Sequence, residues 1–111
     1  MKPLDIVQKY LASFYGEAPL EEMRPLLAND LSFKGPFNEF DSANAYFAAL
    51  ASDPPPHATY RIIEVFQKNN SVCLIYQFSK PGVETAMVQI FEIRRDKISR
   101  IRLIFNPTVF D

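Results

Sequence analysis

Apolar and polar residues alternate with a helical period at the start of the chain. Over residues 4–15 the apolar side chains fall three or four positions apart, which places them on one face of a helix. Asp5 lies in the first turn, where the helix dipole favours a carboxylate, and Gly16 is a natural stop. The pattern predicts an amphipathic helix whose buried face holds Ile6, Val7, Tyr10, Leu11 and Phe14.

A shorter second helix is predicted over residues 20–28. Pro25 lies inside it and removes a backbone hydrogen bond, so we expect this helix to be broken or to start late. Residues 30–34 then have the pattern of a short strand, which Gly35 and Pro36 bring to an end.

A third helix is predicted to begin at Asp41 and Ser42, since both residue types are favoured at helix N-caps. Asp53 and the three prolines that follow end it, because proline cannot continue a helix and disfavours helix in the residue before it. Its apolar face has the spacing i, i+3, i+4, i+7 and consists of Ala43, Tyr46, Phe47 and Leu50.

Beyond residue 58 the period changes from helical to alternating. The alternation predicts four long strands, over residues 59–68, 71–80, 84–95 and 97–106. Turns this short make neighbouring strands antiparallel, and we place them at residues 69–70, 81–82 and 96–97. Helices followed by an antiparallel meander predict an α+β domain with the helices packed on one face of the sheet.

The composition suits a small folded domain and gives no sign of a charged partner. Of the 111 residues 48% are hydrophobic, which is enough for a core at this length. Twelve basic and thirteen acidic residues leave a net charge of -1, so neither nucleic acid nor a membrane surface is expected as a partner. Polar residues follow Met1 and no stretch approaches the roughly 20 apolar residues of a membrane span, so we expect a cytoplasmic protein.

Three short motifs occur in a fixed order along the chain: DIVQKYL at residues 5–11, LSFKGPF at 31–37 and ISRIRLIF at 98–105. Together with the order of helices and strands, they resemble the SnoaL-like, ketosteroid-isomerase-like group of the nuclear transport factor 2-like superfamily. The resemblance implies one SnoaL-like domain over residues 1–111. It also implies a cystatin-like cone, in which N-terminal helices pack in the concavity of a curved, mainly antiparallel sheet and leave a pocket. Because this fold serves many activities, the resemblance does not select a function.

The resemblance lets the isomerase chemistry be compared residue by residue. Ketosteroid isomerase uses an aspartate base together with a tyrosine and a protonated aspartate as donors. Aligned on the family, Tyr10 keeps the donor tyrosine, whereas Gly35 stands at the base and Gln89 at the second donor. Glycine cannot abstract a proton, and an amide is a much weaker acid than a carboxylic acid. We therefore expect this chain to have the fold of ketosteroid isomerase but not its mechanism.

The candidate catalytic residues, Tyr10, His57 and Gln89, each have a structural interpretation as well. Tyr10 fits a core aromatic with a satisfied hydroxyl, and a buried Gln89 would need hydrogen-bond partners in any case. His57, the only histidine, follows the prolines and fits an exposed or capping residue. With one histidine and a single cysteine, Cys73, we predict no metal site, no catalytic triad and no disulfide. No cofactor is predicted either.

Aromatic side chains are concentrated on the faces that should converge inside the cone, with few polar groups among them. This combination indicates an apolar pocket that binds a small hydrophobic molecule. Two alternatives stay open: an isomerase, cyclase or dehydratase with a different residue set, and a protein interaction module. The predicted pocket residues are Tyr10, Phe14, Phe33, Phe37, Tyr46, Tyr76, Gln89, Phe91 and Phe105.

The opposite face of the sheet is also largely apolar. Helices can cover one face only, and an exposed apolar patch usually marks an interface. We therefore expect a homodimer through this outer face, on which Glu64 and Glu92 should pair with Arg100 or Arg102. The apolar outward residues are Cys73, Ile75, Val88, Ile90 and Ile104.

Overall fold

Helices and strands follow one another in the predicted order in the computed structural model, which describes residues 1–55 and 57–111. Most of the predicted bounds agree with it to within two residues. In chain order the elements are α1 (Pro3–Phe14), a 3₁₀ helix (Leu20–Leu26), β1 (Leu27–Lys34), β2 (Glu39–Phe40), α2 (Ala43–Ser52), β3 (Thr59–Lys68), β4 (Ser71–Lys80), β5 (Val83–Arg94), β6 (Lys97–Ile104) and a second 3₁₀ helix (Pro107–Phe110).

The helix α1 ends as its sequence predicts. Gly16 adopts a positive φ of 81°, a conformation that glycine takes without steric cost. The amides of Glu17 and Ala18 can then both bond back to the carbonyl of Ala12, which satisfies the end of the helix. Its predicted apolar face is buried, apart from the half-buried Phe14.

Pro25 has the effect expected of it, because the segment around it forms a 3₁₀ helix instead of an α-helix. Met23 is the buried residue of this turn. Leu27 already belongs to β1, so that strand starts three residues before the predicted residue 30. The side chain of Arg24 ties the turn to its surroundings through hydrogen bonds to Asn29 (2.8 Å) and Asn44 (3.0 Å).

The helix α2 begins and ends at the predicted residues. The Ser42 side chain accepts a hydrogen bond from the Ala45 amide at 3.1 Å, which is the geometry of an N-cap. The chain leaves the helix at Asp53, whose amide still bonds to the Ala49 carbonyl. The third proline of the terminating run, Pro56, lies outside the described residues.

Six strands form one curved sheet in the order β2-β1-β6-β5-β4-β3. The strands β3 to β6 are the predicted antiparallel meander, while β1 pairs in parallel with β6. This parallel pairing and the two-residue strand β2 were not predicted. The predicted turn at 96–97 is wrong by one residue: Arg94 pairs with Lys97, and the turn residues Arg95 and Asp96 have φ values of 53° and 62°. A two-residue hairpin turn favours positive φ at both positions.

The two faces of the sheet divide as the alternation predicts. On β4 the inward residues Val72, Leu74, Tyr76 and Phe78 are buried against the helices, and the outward residues between them are half-buried. The α+β cone with helices in the concavity of a mainly antiparallel sheet is therefore confirmed. On the outer face, Arg100 lies 3.8 Å from Glu92, as expected. The expected pairing of Glu64 with Arg100 or Arg102 is wrong, because two strands separate β3 from β6.

Candidate functional site

A cavity of about 650 Å³ opens between the concave face of the sheet and the helices. Pockets that hold small molecules have volumes of roughly 300–1,000 Å³ and mostly apolar walls. The inward residues of β4 and β5 reach this cavity because alternate residues of a strand share a face. The tyrosines of α1 and α2 close it from the opposite side.

Most of the predicted pocket residues lie on the cavity wall. The wall includes eight of the nine, namely Tyr10, Phe14, Phe33, Phe37, Tyr46, Tyr76, Gln89 and Phe105. Phe91 lies deeper: it is 0% exposed, with its ring edge-on to that of Tyr10 at 5.4 Å between centroids. A contact between these residues and a ligand stays a prediction.

Tyrosine hydroxyls and Gln89 form the polar floor of the cavity. The hydroxyls of Tyr10 and Tyr46 share a hydrogen bond in which either oxygen can be the donor. The Tyr15 hydroxyl donates to that of Tyr76 at 3.2 Å, and Tyr76 donates to Oε1 of Gln89 at 3.0 Å. We call these five residues the tyrosine floor. They come from α1, its C-terminal end, α2, β4 and β5.

Burial is the largest cause of a raised pKa at each tyrosine of the floor. The pKa of Tyr76 rises to about 12, and that of Tyr10 lies well above its usual value. The pKa values of Tyr15 and Tyr46 are raised as well. All four hydroxyls therefore keep their protons at neutral pH and act as hydrogen-bond donors, not as bases.

The proton count shows where the floor can bind a further group. Tyr10 and Tyr46 hold two hydroxyl protons but use only one between them, so one proton is available to an acceptor in the cavity. Oε1 of Gln89 accepts from Tyr76, and the amide nitrogen of Gln89 carries two N–H groups. One is directed at the Tyr10 hydroxyl, where it acts to lower the pKa of that tyrosine, so the other remains a second donor. The floor is suited to a carbonyl, hydroxyl or ether oxygen.

The catalytic candidate His57 and the residue at the isomerase base position, Gly35, have different surroundings. His57 is exposed at a bend before β3 and is not on the cavity wall, so it is not brought together with Tyr10 and Gln89. Gly35 does lie on the wall. A Cβ atom at this position would be 3.2 Å from the Phe33 ring, which itself stacks on Tyr46 at 4.6 Å.

Several wall residues were missed by the sequence analysis. Lys80 and Asp53 are the charged ones. The inward alternation of β4 extends to Lys80 and would have revealed it, whereas Asp53 was interpreted only as the end of a helix. Phe110 lies in the second 3₁₀ helix, where no periodic pattern exists, and its ring packs on Phe105 at 5.3 Å.

The described residues contain no group of three or more His, Cys, Asp or Glu side chains placed to hold a metal ion. Within the same residues, no helix has the length and apolar character needed to cross a membrane.

The curved sheet wrapped around N-terminal helices is the fold that NTF2-like proteins have. The model of the SnoaL-like domain family matches residues 7–101, and the chain belongs to this family. The resemblance inferred from the three sequence motifs is thus confirmed. None of the curated proteins compared with this chain is significantly similar to it.

Solved structures of the same class superpose on nearly the whole chain. An NTF2-like protein of unknown function from Cytophaga hutchinsonii is 20% identical, with 100% of this chain and 96% of that one covered at a TM-score of 0.84. A candidate ketosteroid isomerase from Kribbella flavida is 17% identical; the match covers 94% of this chain and 77% of that one, with a TM-score of 0.81. A candidate polyketide cyclase from Pseudomonas putida is 14% identical; the match covers 99% of this chain and 96% of that one, with a TM-score of 0.78. Likeness at these identities establishes the fold alone.

Proposed function

We propose that this chain binds a small hydrophobic molecule that carries an oxygen acceptor. Its apolar body occupies the aromatic cavity, and its oxygen accepts a hydrogen bond from the tyrosine floor. The observation that supports this proposal is the donor set of Tyr10, Tyr46 and Gln89 at the bottom of a mainly apolar cavity of about 650 Å³. A few polar groups in an apolar pocket fix the orientation of a ligand.

The protonation states favour binding over catalysis. Moving a proton requires a base, and the raised pKa values keep the floor tyrosines protonated at neutral pH. Among the described wall residues the one carboxylate is Asp53, which is exposed at the C-terminal end of α2. The resemblance to ketosteroid isomerase places Gly35, which offers no side chain, at the position of the base.

The proposal is tested with N-phenyl-1-naphthylamine, a neutral aromatic dye that fluoresces when it leaves water. Ala49 lies on the cavity wall, whereas Ala48, its neighbour in α2, is exposed and off the wall. Ala49→Trp fills cavity space and is expected to weaken dye binding at least about tenfold, whereas Ala48→Trp leaves it unchanged. The proposal fails if the wild-type protein does not bind the dye, or if both variants bind it as the wild type does.

The alternative is an isomerase, cyclase or dehydratase in which Tyr10 and Gln89 polarise a substrate carbonyl. Its support is that similar folds include a candidate isomerase and a candidate cyclase. We expect the wild-type protein to leave a β,γ-unsaturated ketosteroid unchanged at neutral pH. Turnover that disappears in Tyr10→Phe would favour the alternative. A pure interaction module would need no cavity of this size.

We also propose that the outer sheet face joins two copies of the chain. Phe66 and Ile104 on this face are 53% and 55% exposed. Glu64 lies on the β3 side of the face and Arg102 on the β6 side, so a two-fold arrangement brings opposite charges together at the rim. Between these two edges of the face the outward side chains are apolar, and Ile75 on β4 is paired with Val88 on β5.

A further inference from the structure

The inward row of β4 runs from the floor of the cavity to its mouth. Tyr76 is 2% exposed at the floor, Phe78 follows, and the half-buried Lys80 ends the row. Four residues at about 3.3 Å each separate Tyr76 from Lys80 by about 13 Å along the strand. The cavity therefore has a hydroxyl donor at one end and a primary ammonium group at the other.

The Lys80 ammonium group is held at the mouth by an aromatic ring. Its Nζ lies 5.2 Å from the centroid of the Phe110 ring, within the range of a cation–π contact. None of the ion pairs among the described residues involves Lys80. The ammonium group therefore lies beside Phe110 and is not paired with a carboxylate of the described residues, so it can pair with an anion.

Only one other described residue of the wall is charged. Asp53 lies at the end of α2, where it is exposed and its carboxylate is screened by solvent. Lys80 is half-buried, so its field inside the cavity is screened less. The balance of charge at the mouth favours a negative group on the ligand.

We propose that the ligand is amphipathic and carries an anionic group, such as a carboxylate, that pairs with Lys80. This inference rests on the proposed function of the cavity and specifies its ligand class. The ligand has an oxygen acceptor at the floor and its negative charge at the mouth. A rigid aromatic acid or a medium-length oxidised fatty acid has this arrangement of groups.

Two dyes that differ only in an anionic group test the inference. N-phenyl-1-naphthylamine is neutral, and 1-anilinonaphthalene-8-sulfonate is the same molecule with a sulfonate. The wild-type protein is expected to bind the sulfonate about fivefold more tightly, the effect of one partly screened ion pair. This preference should shrink as ionic strength rises from about 0.01 to 0.5 M, because salt screens the pair.

Variants assign the preference to Lys80. Lys80→Met is expected to abolish the preference, measured as the ratio of the affinities of the two dyes in the same variant, and Lys80→Arg is expected to retain it. Lys68→Met is the matched control, because Lys68 is exposed at the end of β3 and off the cavity wall. Thermal denaturation of each variant confirms that it is folded, and the salt dependence of the wild-type protein needs no variant.

The outcomes separate this inference from the proposed function. If the wild-type protein binds the neutral dye without preferring the sulfonate, the anionic ligand class is wrong and the cavity remains a binding site. The anionic ligand class is also wrong if the preference for the sulfonate survives in Lys80→Met, or if it disappears in Lys68→Met as well as in Lys80→Met. If the wild-type protein fails to bind the neutral dye, the proposed function itself is overturned.

Discussion

At the scale of residues, the tyrosine floor governs both the stability and the chemistry of the cavity. A buried hydroxyl needs a partner, and Tyr15, Tyr76 and Gln89 satisfy one another in a chain that links α1 to two strands. Most of the floor could be predicted because helical and alternating periods identify inward faces. Depth along a face could not be predicted, so Phe91 was placed on the wall although it lies beneath Tyr10.

The raised pKa of Tyr76 predicts a loss of stability in alkali. Its folded value of about 12 exceeds the ordinary value of 10.0, so its contribution is complete below pH 10 and is lost as the pH rises through 12. Between about pH 9 and about pH 11.5, ionisation of Tyr76 alone lowers the free energy of unfolding by at most about 2 kcal/mol. Urea denaturation at about pH 9 and about pH 11.5 measures it, with a smaller loss expected in Tyr76→Phe. A free energy of unfolding that stays constant over this range would contradict the prediction.

At the scale of elements, local patterns explain what could be predicted. Alternation and short turns specify the meander from β3 to β6, since each strand pairs with its neighbour in the chain. The pairing of β1 with β6 is different, because Phe33 and Ile101 are 68 positions apart in the sequence and no local pattern encodes their contact. β2 has two residues, too few to show a period.

The end of α1 gives a prediction at this scale. No atom lies within 4 Å of a Cβ built on Gly16, so any cost of substitution comes from its φ of 81° and not from crowding. We expect Gly16→Ala to lower the free energy of unfolding by about 1 kcal/mol. Asparagine tolerates this conformation better, so Gly16→Asn should lose less. Equal losses in the two variants, measured by urea denaturation, would show that backbone conformation is not the cause.

At the scale of the whole molecule, the sheet has two unlike faces, and a separate role is proposed for each. The helices pack on the concave face and the cavity lies between them. On the outer face of a single chain, apolar side chains are exposed to water. Burying that outer face against a second copy would leave both cavities open, because their walls lie on the opposite side of each sheet. Ligand binding and dimerisation are therefore compatible.

The dimer is tested by sedimentation at micromolar concentration. We expect a species of twice the 12.7 kDa of one chain. Ile104→Glu should produce the monomer, because it places a charge among the apolar side chains of the outer face. Phe37→Glu is the matched control, since Phe37 is an exposed aromatic residue at the cavity and off that face. A wild-type monomer throughout, or dissociation of both variants, would refute the arrangement.

The shared hydrogen bond between Tyr10 and Tyr46 has a consequence for recognition. Because either oxygen can be the donor, the free proton can point into the cavity from α1 or from α2. Reversing the direction of one bond moves the donor from one helix to the other without moving a side chain. Two ligands whose oxygen atoms differ in position can thus be accepted by the same rigid wall, which provides tolerance of ligand shape without flexibility.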